Sequence, residues 1–178
     1  RSRTAGTLLG PSEDKEIFYY VLEEDRLEDA LAVLDEEAIQ ELNLLMAETA
    51  KDKISVIAVS AQTDRVVGVC FNKIQVRFLS PEAHFLIFRH TQQSRRLGAF
   101  NVDRVVELVF LGVSPAYRKR GIGRDLFTLS LEYVKSKRIA EVACTLGTSV
   151  FTQRIAKKLN FKNGRGPLRT GSHGRSSI

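Results

Sequence analysis

The chain has 178 residues, 43% hydrophobic, 27% charged and with only 4 Pro, the composition of one compact globular domain and not of a disordered, collagenous or coiled-coil chain. Its net charge of +6 hides a gradient: residues 1–112 hold 13 Lys and Arg against 18 Asp and Glu, whereas residues 113–178 hold 14 against 3. No apolar run approaches the ~20 residues of a membrane helix and no signal-peptide core stands near the start, so the expected location is the cytoplasm, with no membrane partner.

The chain opens on Arg1, which reads as a processed chain or a fragment, and residues 1–15 are expected to form a tail because nothing in them looks like an anchored element. Glu16–Glu24 gathers β-branched and aromatic residues and predicts a first strand. Asp25 follows as an expected N-cap. Leu27, Ala30, Leu31, Leu34 and Ala38, then Leu42, Leu45, Met46 and Thr49, repeat at helical spacing, which predicts helix over 26–50 with a break near Asp35–Glu37. Ile54–Ala61 and Arg65–Ile74, separated by Gln62-Thr63-Asp64, predict an antiparallel hairpin. Ser80-Pro81-Glu82 is expected to open a helix over 83–93 carrying Phe85, Leu86 and Phe88, within a connection from Gln75 to Val102 long enough to serve as a lid or binding loop.

Arg104–Val113 is apolar on both faces and predicts a central strand, interrupted only by Glu107, a carboxylate that burial obliges to be paired or to face a cleft. Tyr117–Arg138 predicts a long amphipathic helix with Ile122, Leu126, Leu129 and Tyr133 on one face. Ile139–Leu146 predicts a further strand, and Ser149–Leu159 a helix stopped by Asn160, which tolerates the left-handed conformation. Residues 163–178 carry no apolar periodicity and read as a polar tail. This order of elements is that of one α/β (α+β) domain over 16–162 with a mixed, partly antiparallel sheet flanked by helices. Cys70 and Cys144 lie in apolar stretches far apart in sequence, which predicts reduced thiols and no metal site. His84, His90 and His173 are scattered and receive no catalytic role.

The basic residues are informative where they crowd. Arg118, Lys119, Arg120 and Arg124 surround Gly121 and Gly123 where a central strand turns into a helix. Unpaired amides at a helix start, close approach at glycines and neighbouring cations together bind a diphosphate. A Walker loop and a three-glycine dinucleotide motif are absent. No zinc-finger or aromatic-basic RNA-binding signature accompanies the charges, so no nucleic-acid partner is expected, and Arg165, Arg169 and Arg175 read as a solvated tail.

In that context Val113-Ser114-Pro115-Ala116-Tyr117-Arg118-Lys119-Arg120-Gly121-Ile122-Gly123 resembles the pyrophosphate-binding motif of the GNAT superfamily of acetyl-CoA-dependent N-acetyltransferases. With Phe100–Leu108 and Leu111-Gly112 added, the chain looks most like the arthropod arylalkylamine (dopamine-type) N-acetyltransferases, over roughly Glu16–Lys162. The resemblance implies acetyl-CoA as co-substrate. Leu111 and Val113 would then hold the pantetheine arm through their main chain, Arg118, Lys119, Arg120, Gly121, Ile122, Gly123 and Arg124 the pyrophosphate, and Ser149 the pantetheine or thioester region. It also implies a small aromatic amine as acceptor, a dopamine, serotonin, tryptamine or octopamine, attacking directly.

For the base, Glu107 resembles the strand glutamate of the lysine-acetylating branch. The arylalkylamine branch instead takes a Glu from an Asp-Glu-Pro-Leu-like segment, for which Asp35-Glu36-Glu37-Ala38-Ile39 stands here without the Pro, so Glu36 and Glu37 stay beside Glu107 as candidates. A hydroxyl at Ser149 or Thr152 would pass a proton to the leaving thiolate, although helix capping explains Ser149 as well. The superfamily continues into two further strands where this chain turns polar. The expectation is therefore a sheet without its final hairpin, either truncated or completed by another chain, and a monomer or a strand-pairing dimer. A protein-lysine or polyamine acetyltransferase and a catalytically impaired acetyl-CoA-binding remnant are the alternatives.

Overall fold

The computed structural model describes residues 6–33, 39–76, 103–145, 150–161 and 168–169. They build a seven-stranded sheet in which spatial order follows chain order. The strands are β1 (Leu8–Pro11), β2 (Ile17–Val21), β3 (Val56–Ser60), β4 (Val66–Val76), β5 (Arg104–Val113), β6 (Val142–Thr145) and β7 (Leu168–Arg169). All neighbours run antiparallel except β5 and β6, which are parallel. The helices are α1 (Leu27–Leu31), α2 (Ile39–Ala50), α3 (Ile122–Ser136) and α4 (Val150–Lys158).

The helices cover both faces of the sheet. On one face Ile122, Leu126, Phe127 and Val134 of α3 and Ile155 of α4 pack with Tyr19, Val56, Cys70, Val106 and Leu108. On the other, Ala30 of α1 and Met46 of α2 pack with Ile57, Val69 and Phe71. Cover on both sides explains why β3 is buried at every position and why β4 and β5 read as near-continuous apolar runs.

Apart from small shifts at element ends, such as β4 running to Val76 where a connection is expected from Gln75 and β6 starting at Val142 and not Ile139, sequence and structure differ at four places. Leu8–Pro11, inside the expected N-terminal tail, pairs with Phe18–Tyr20 as an edge strand; it is too short for a periodic signal, and Gly10 at φ 148 interrupts it. Asp25 is not an N-cap: it lies within a 3-10 turn, Glu24–Arg26, and α1 is capped by Arg26. The helix expected from Tyr117 begins only at Ile122, because Pro115–Tyr117 closes a separate 3-10 turn and Lys119 and Gly121 take positive φ. Past the expected end of the domain, Leu168–Arg169 pairs antiparallel with Val142–Ala143, so β6 does not lack a partner on that side. The predicted helix over 83–93, with Phe85, Leu86 and Phe88, lies outside the described residues, as do Phe100 and the break near Asp35–Glu37.

Asn160 stops α4 as expected. It adopts φ 61, its amide donates to Lys157 O at 3.1 Å, and the Phe161 amide reaches back to Ala156 O at 2.8 Å. This double return satisfies the last carbonyls of the helix and sets Phe161 edge-on against Phe127, ring centres 5.3 Å apart.

Candidate functional site

The candidate site lies along the second half of β5. β5 pairs with β4 along its whole length, down to Val113 opposite Gly68, but with β6 only from Val105–Val142 to Leu108–Thr145. The Thr145 hydroxyl closes the junction by donating to Leu108 O at 3.0 Å. Beyond it, among the described residues, the β6-side edge of Val109–Val113 pairs with no strand. That edge presents main-chain donors and acceptors to whatever enters between the strands. Leu111 and Val113 both stand on this stretch.

A bulge prepares the opening. Phe71 faces Phe110 but Asn72 faces Leu108, which leaves Val109 as an extra residue on β5. Val109 and Phe110, consecutive in sequence, consequently pack on the same face, with the α1 and α2 residues. Across the sheet Asn72, fully buried, anchors this kink to α3: its Nδ2 donates to Ile54 O at 2.8 Å and to Ser130 Oγ at 2.9 Å, and Ser130 Oγ donates to Leu126 O at 2.8 Å.

β5 runs from the opening into the basic loop. Gly121 sits at the N-cap of α3 with φ 82 and ψ −9 and offers no side-chain cap, so the first amides of the helix have no acceptor inside it. A Cβ on Gly123 would stand 2.9 Å from the Phe151 ring, so glycine lets α4 lie close to the start of α3. The cations divide. Arg118 Nε donates to Val113 O at 3.0 Å, tying the loop to the end of β5. Arg124 leans on Asp125 Oδ1 at 3.1 Å, while Asp125 Oδ2 accepts from the Tyr19 hydroxyl at 3.0 Å. Arg120 is ion-paired with Glu16 and, at 3.4 Å, with Asp14, and lies 5.5 Å from the centre of the Tyr117 ring. These acids hold Arg120 in its charged form, and the Ser12 hydroxyl, the Glu16 amide and, less, Arg120 keep the Asp14 carboxyl below its usual range. A cavity of about 230 Å³ lies beside it, lined by Glu16, Ser60, Gln62, Ala116, Tyr117 and Arg120.

Glu107 occupies the base of the opening. It is 4% exposed and stands opposite Lys73 of β4 and Cys144 of β6. Gln75 Nε2 donates to its Oε2 at 3.0 Å. Burial pushes its pKa up, and the Gln75 bond opposes this by favouring the carboxylate. Lys73, its register partner, turns instead to Asp52 Oδ1 at 3.0 Å. The arrangement is a buried carboxyl group whose described hydrogen-bond partner is the neutral Gln75 amide, so desolvation sets the direction of its shift.

The structure thus brings Leu111, Val113, Arg118, Lys119, Arg120, Gly121, Ile122, Gly123 and Arg124 into one continuous strand-loop-helix path with Glu107 at its strand end. Glu36, Glu37 and Ser149 lie outside the described residues. Asn72, Gln75, Tyr19 and the acidic pair holding Arg120 were missed in the sequence. Only Asn72 left a signal there, as a lone amide in an apolar run. Both cysteines are free thiols, and burial pushes that of Cys70 up to about 12. Among the described residues no His, Cys, Asp and Glu group could hold a metal ion, and no helix is long and apolar enough to cross a membrane.

Residues 18–161 match the model of the Acetyltransferase (GNAT) family. Among solved structures the chain is similar to arylalkylamine N-acetyltransferase 2 of Aedes aegypti, with 21% identity, 82% of each chain covered and a TM-score of 0.66. It is similar also to the putative arylalkylamine N-acetyltransferase 7 of the same mosquito, with 18% identity, 91% of this chain and 84% of that one covered, and a TM-score of 0.69. A third likeness is to a Drosophila melanogaster polyamine N-acetyltransferase that forms N-acetylagmatine, with 14% identity, 82% and 83% covered, and a TM-score of 0.59. No curated protein matches the chain significantly.

Proposed function

The chain belongs to the GNAT acetyltransferase family, and from that premise we propose that it moves the acetyl group of acetyl-CoA to the nitrogen of a small arylalkylamine, with Glu107 as the base. The observation that carries the reading is the edge of β5 past Leu108, which pairs with no strand among the described residues and joins a buried carboxyl group at one end to an uncapped helix start at the other. An acyl-CoA has the matching order of parts: a thioester, an amide-bearing arm and a diphosphate. The arm pairs with the main chain of Val109–Val113 as an added half-strand, on the edge that faces no strand among the described residues. The diphosphate takes the amides of α3 with Arg118, Lys119 and Arg124 close by, and Gly121 leaves room for its approach. The mosquito relatives and the resemblance over Phe100–Leu108 support an aromatic amine as acceptor.

In the reaction the amine nitrogen attacks the thioester carbonyl, the C–N bond forms, the C–S bond breaks and CoA leaves as its thiolate while the nitrogen gives up a proton to the base. The attacking nitrogen must be unprotonated, so a group that accepts its proton near neutral pH accelerates the step by about 10²–10⁴. Glu107 has the burial and the raised pKa for that work.

The test is thiol release from acetyl-CoA by the purified chain with tryptamine, dopamine, agmatine, spermidine and a lysine peptide, beside a no-amine control. Acceleration by the aromatic amines is the expected result, and Glu107→Gln should lower kcat by about 10²–10⁴. Preference for agmatine or spermidine would replace the acceptor class, and an unaltered rate in Glu107→Gln with a loss in Glu36→Gln or Glu37→Gln would move the base to that segment. Release that no amine accelerates would reduce the chain to a binding remnant.

A further inference from the structure

We propose that Gln75 is a positioning residue for Glu107: its side-chain amide fixes the carboxyl group between β4 and β6 and sets the pH range over which that group takes a proton. The inference rests on the reading of Glu107 as the base. Gln75 lies opposite Val105 on β4, one diagonal step from Glu107, which places both side chains on the same face of the sheet. The contact is a 3.0 Å hydrogen bond from Nε2 to Oε2.

The surroundings make this bond decisive. The groups beside Glu107 in the sheet are Lys73 and Gln75 from β4 and Cys144 from β6, and Asp52, two residues past α2, faces Lys73. Lys73 is drawn off by Asp52 at 3.0 Å, and Asp52 is further occupied by the Ile74 amide at 2.8 Å. Among the described residues no cation stands within ion-pair distance of Glu107, and the uncharged Gln75 amide is its side-chain hydrogen-bond partner. A cation there would clamp the ionised form and remove its basicity, and a hydrocarbon would leave a buried carboxylate without a donor. A carboxamide serves both states. Its N–H donates to the carboxylate before proton transfer, and after a half-turn its oxygen accepts from the O–H of the acid.

The test is a titration of the Glu107 side-chain carboxyl by ¹³C NMR in uniformly Glu-labelled protein, the resonance being identified by its loss in Glu107→Gln. Gln75→Leu removes the donor to the charged form, so the midpoint should rise. Gln75→Glu, nearly the same size and therefore the variant that keeps the fold, sets two carboxyls to share one proton and should raise one midpoint further. In the thiol-release assay with acetyl-CoA and tryptamine, kcat/KM of Gln75→Leu should fall about tenfold on the acidic limb and return to within about twofold of wild type on the alkaline plateau. A purely structural role would lower the rate evenly at every pH and leave the midpoint in place, and that result overturns the proposal. A midpoint that moves as expected while Glu107→Gln keeps full activity would instead overturn the reading of Glu107 as the base.

Discussion

Replacing Gly121 by Ala separates the two demands placed on that residue. A Cβ at this position would meet nothing closer than Arg124 Nη2 at 3.6 Å, so the stability cost is backbone strain at φ 82 and not a clash. Strain of about 1–2 kcal/mol, offset by about 0.4–1 kcal/mol from a less flexible unfolded chain, leaves a net loss near ~1 kcal/mol, or about 2–4 °C in thermal midpoint. The cost to ligand binding should be larger, because the added methyl stands in front of the uncapped amides of α3. Losing one hydrogen bond to a charged phosphate costs about 1.5–3 kcal/mol, or about 10- to 100-fold in Kd. Calorimetric titration with CoA and with acetyl-pantetheine, which lacks the diphosphate, measures the difference. The variant should bind CoA more weakly and acetyl-pantetheine unchanged. Equal loss for both ligands, or none for CoA, would refute the assignment of this helix start to the diphosphate.

Asn72→Leu should lower stability by about 1–3 kcal/mol, read as a fall in urea midpoint at constant slope, because it strands Ile54 O beside Ser130 under α3. Arg138→Gly should raise the thermal midpoint by about 2 °C: Arg138 holds φ 52 at the end of α3, where the Ile139 amide returns to Val134 O at 3.0 Å, and glycine takes that conformation without strain. Glu107→Gln should flatten one part of the pH dependence of stability. A carboxyl whose pKa is raised by burial binds its proton more tightly folded than unfolded, so the stability it contributes is full below the unfolded pKa and lost as pH rises through the folded one. Urea unfolding across this range should show wild type losing stability relative to Glu107→Gln as pH increases, and an unchanging difference would argue against a raised pKa.

Much of the fold was legible in the sequence because periodicity reports which faces are covered. The strand Arg104–Val113 has the bounds its apolar run predicts, the hairpin turns at Gln62–Asp64, and α4 stops at Asn160. The glycine-rich basic loop was legible for a similar reason: glycines, cations and a helix start are contiguous in the chain. Glu107 announced itself as a charge within an apolar strand. What only the tertiary structure decided joins residues distant in sequence. Gln75 reaches Glu107 across 32 positions, Arg120 reaches Glu16 across 104, and the Tyr19 hydroxyl reaches Asp125 across 106. The bulge at Val109 and the parallel pairing of β6 with Val105–Leu108 belong to the same class. Local propensity fixes where a strand runs, but its register, its partner and the point where a partner leaves it follow from how the two helical layers pack on the sheet.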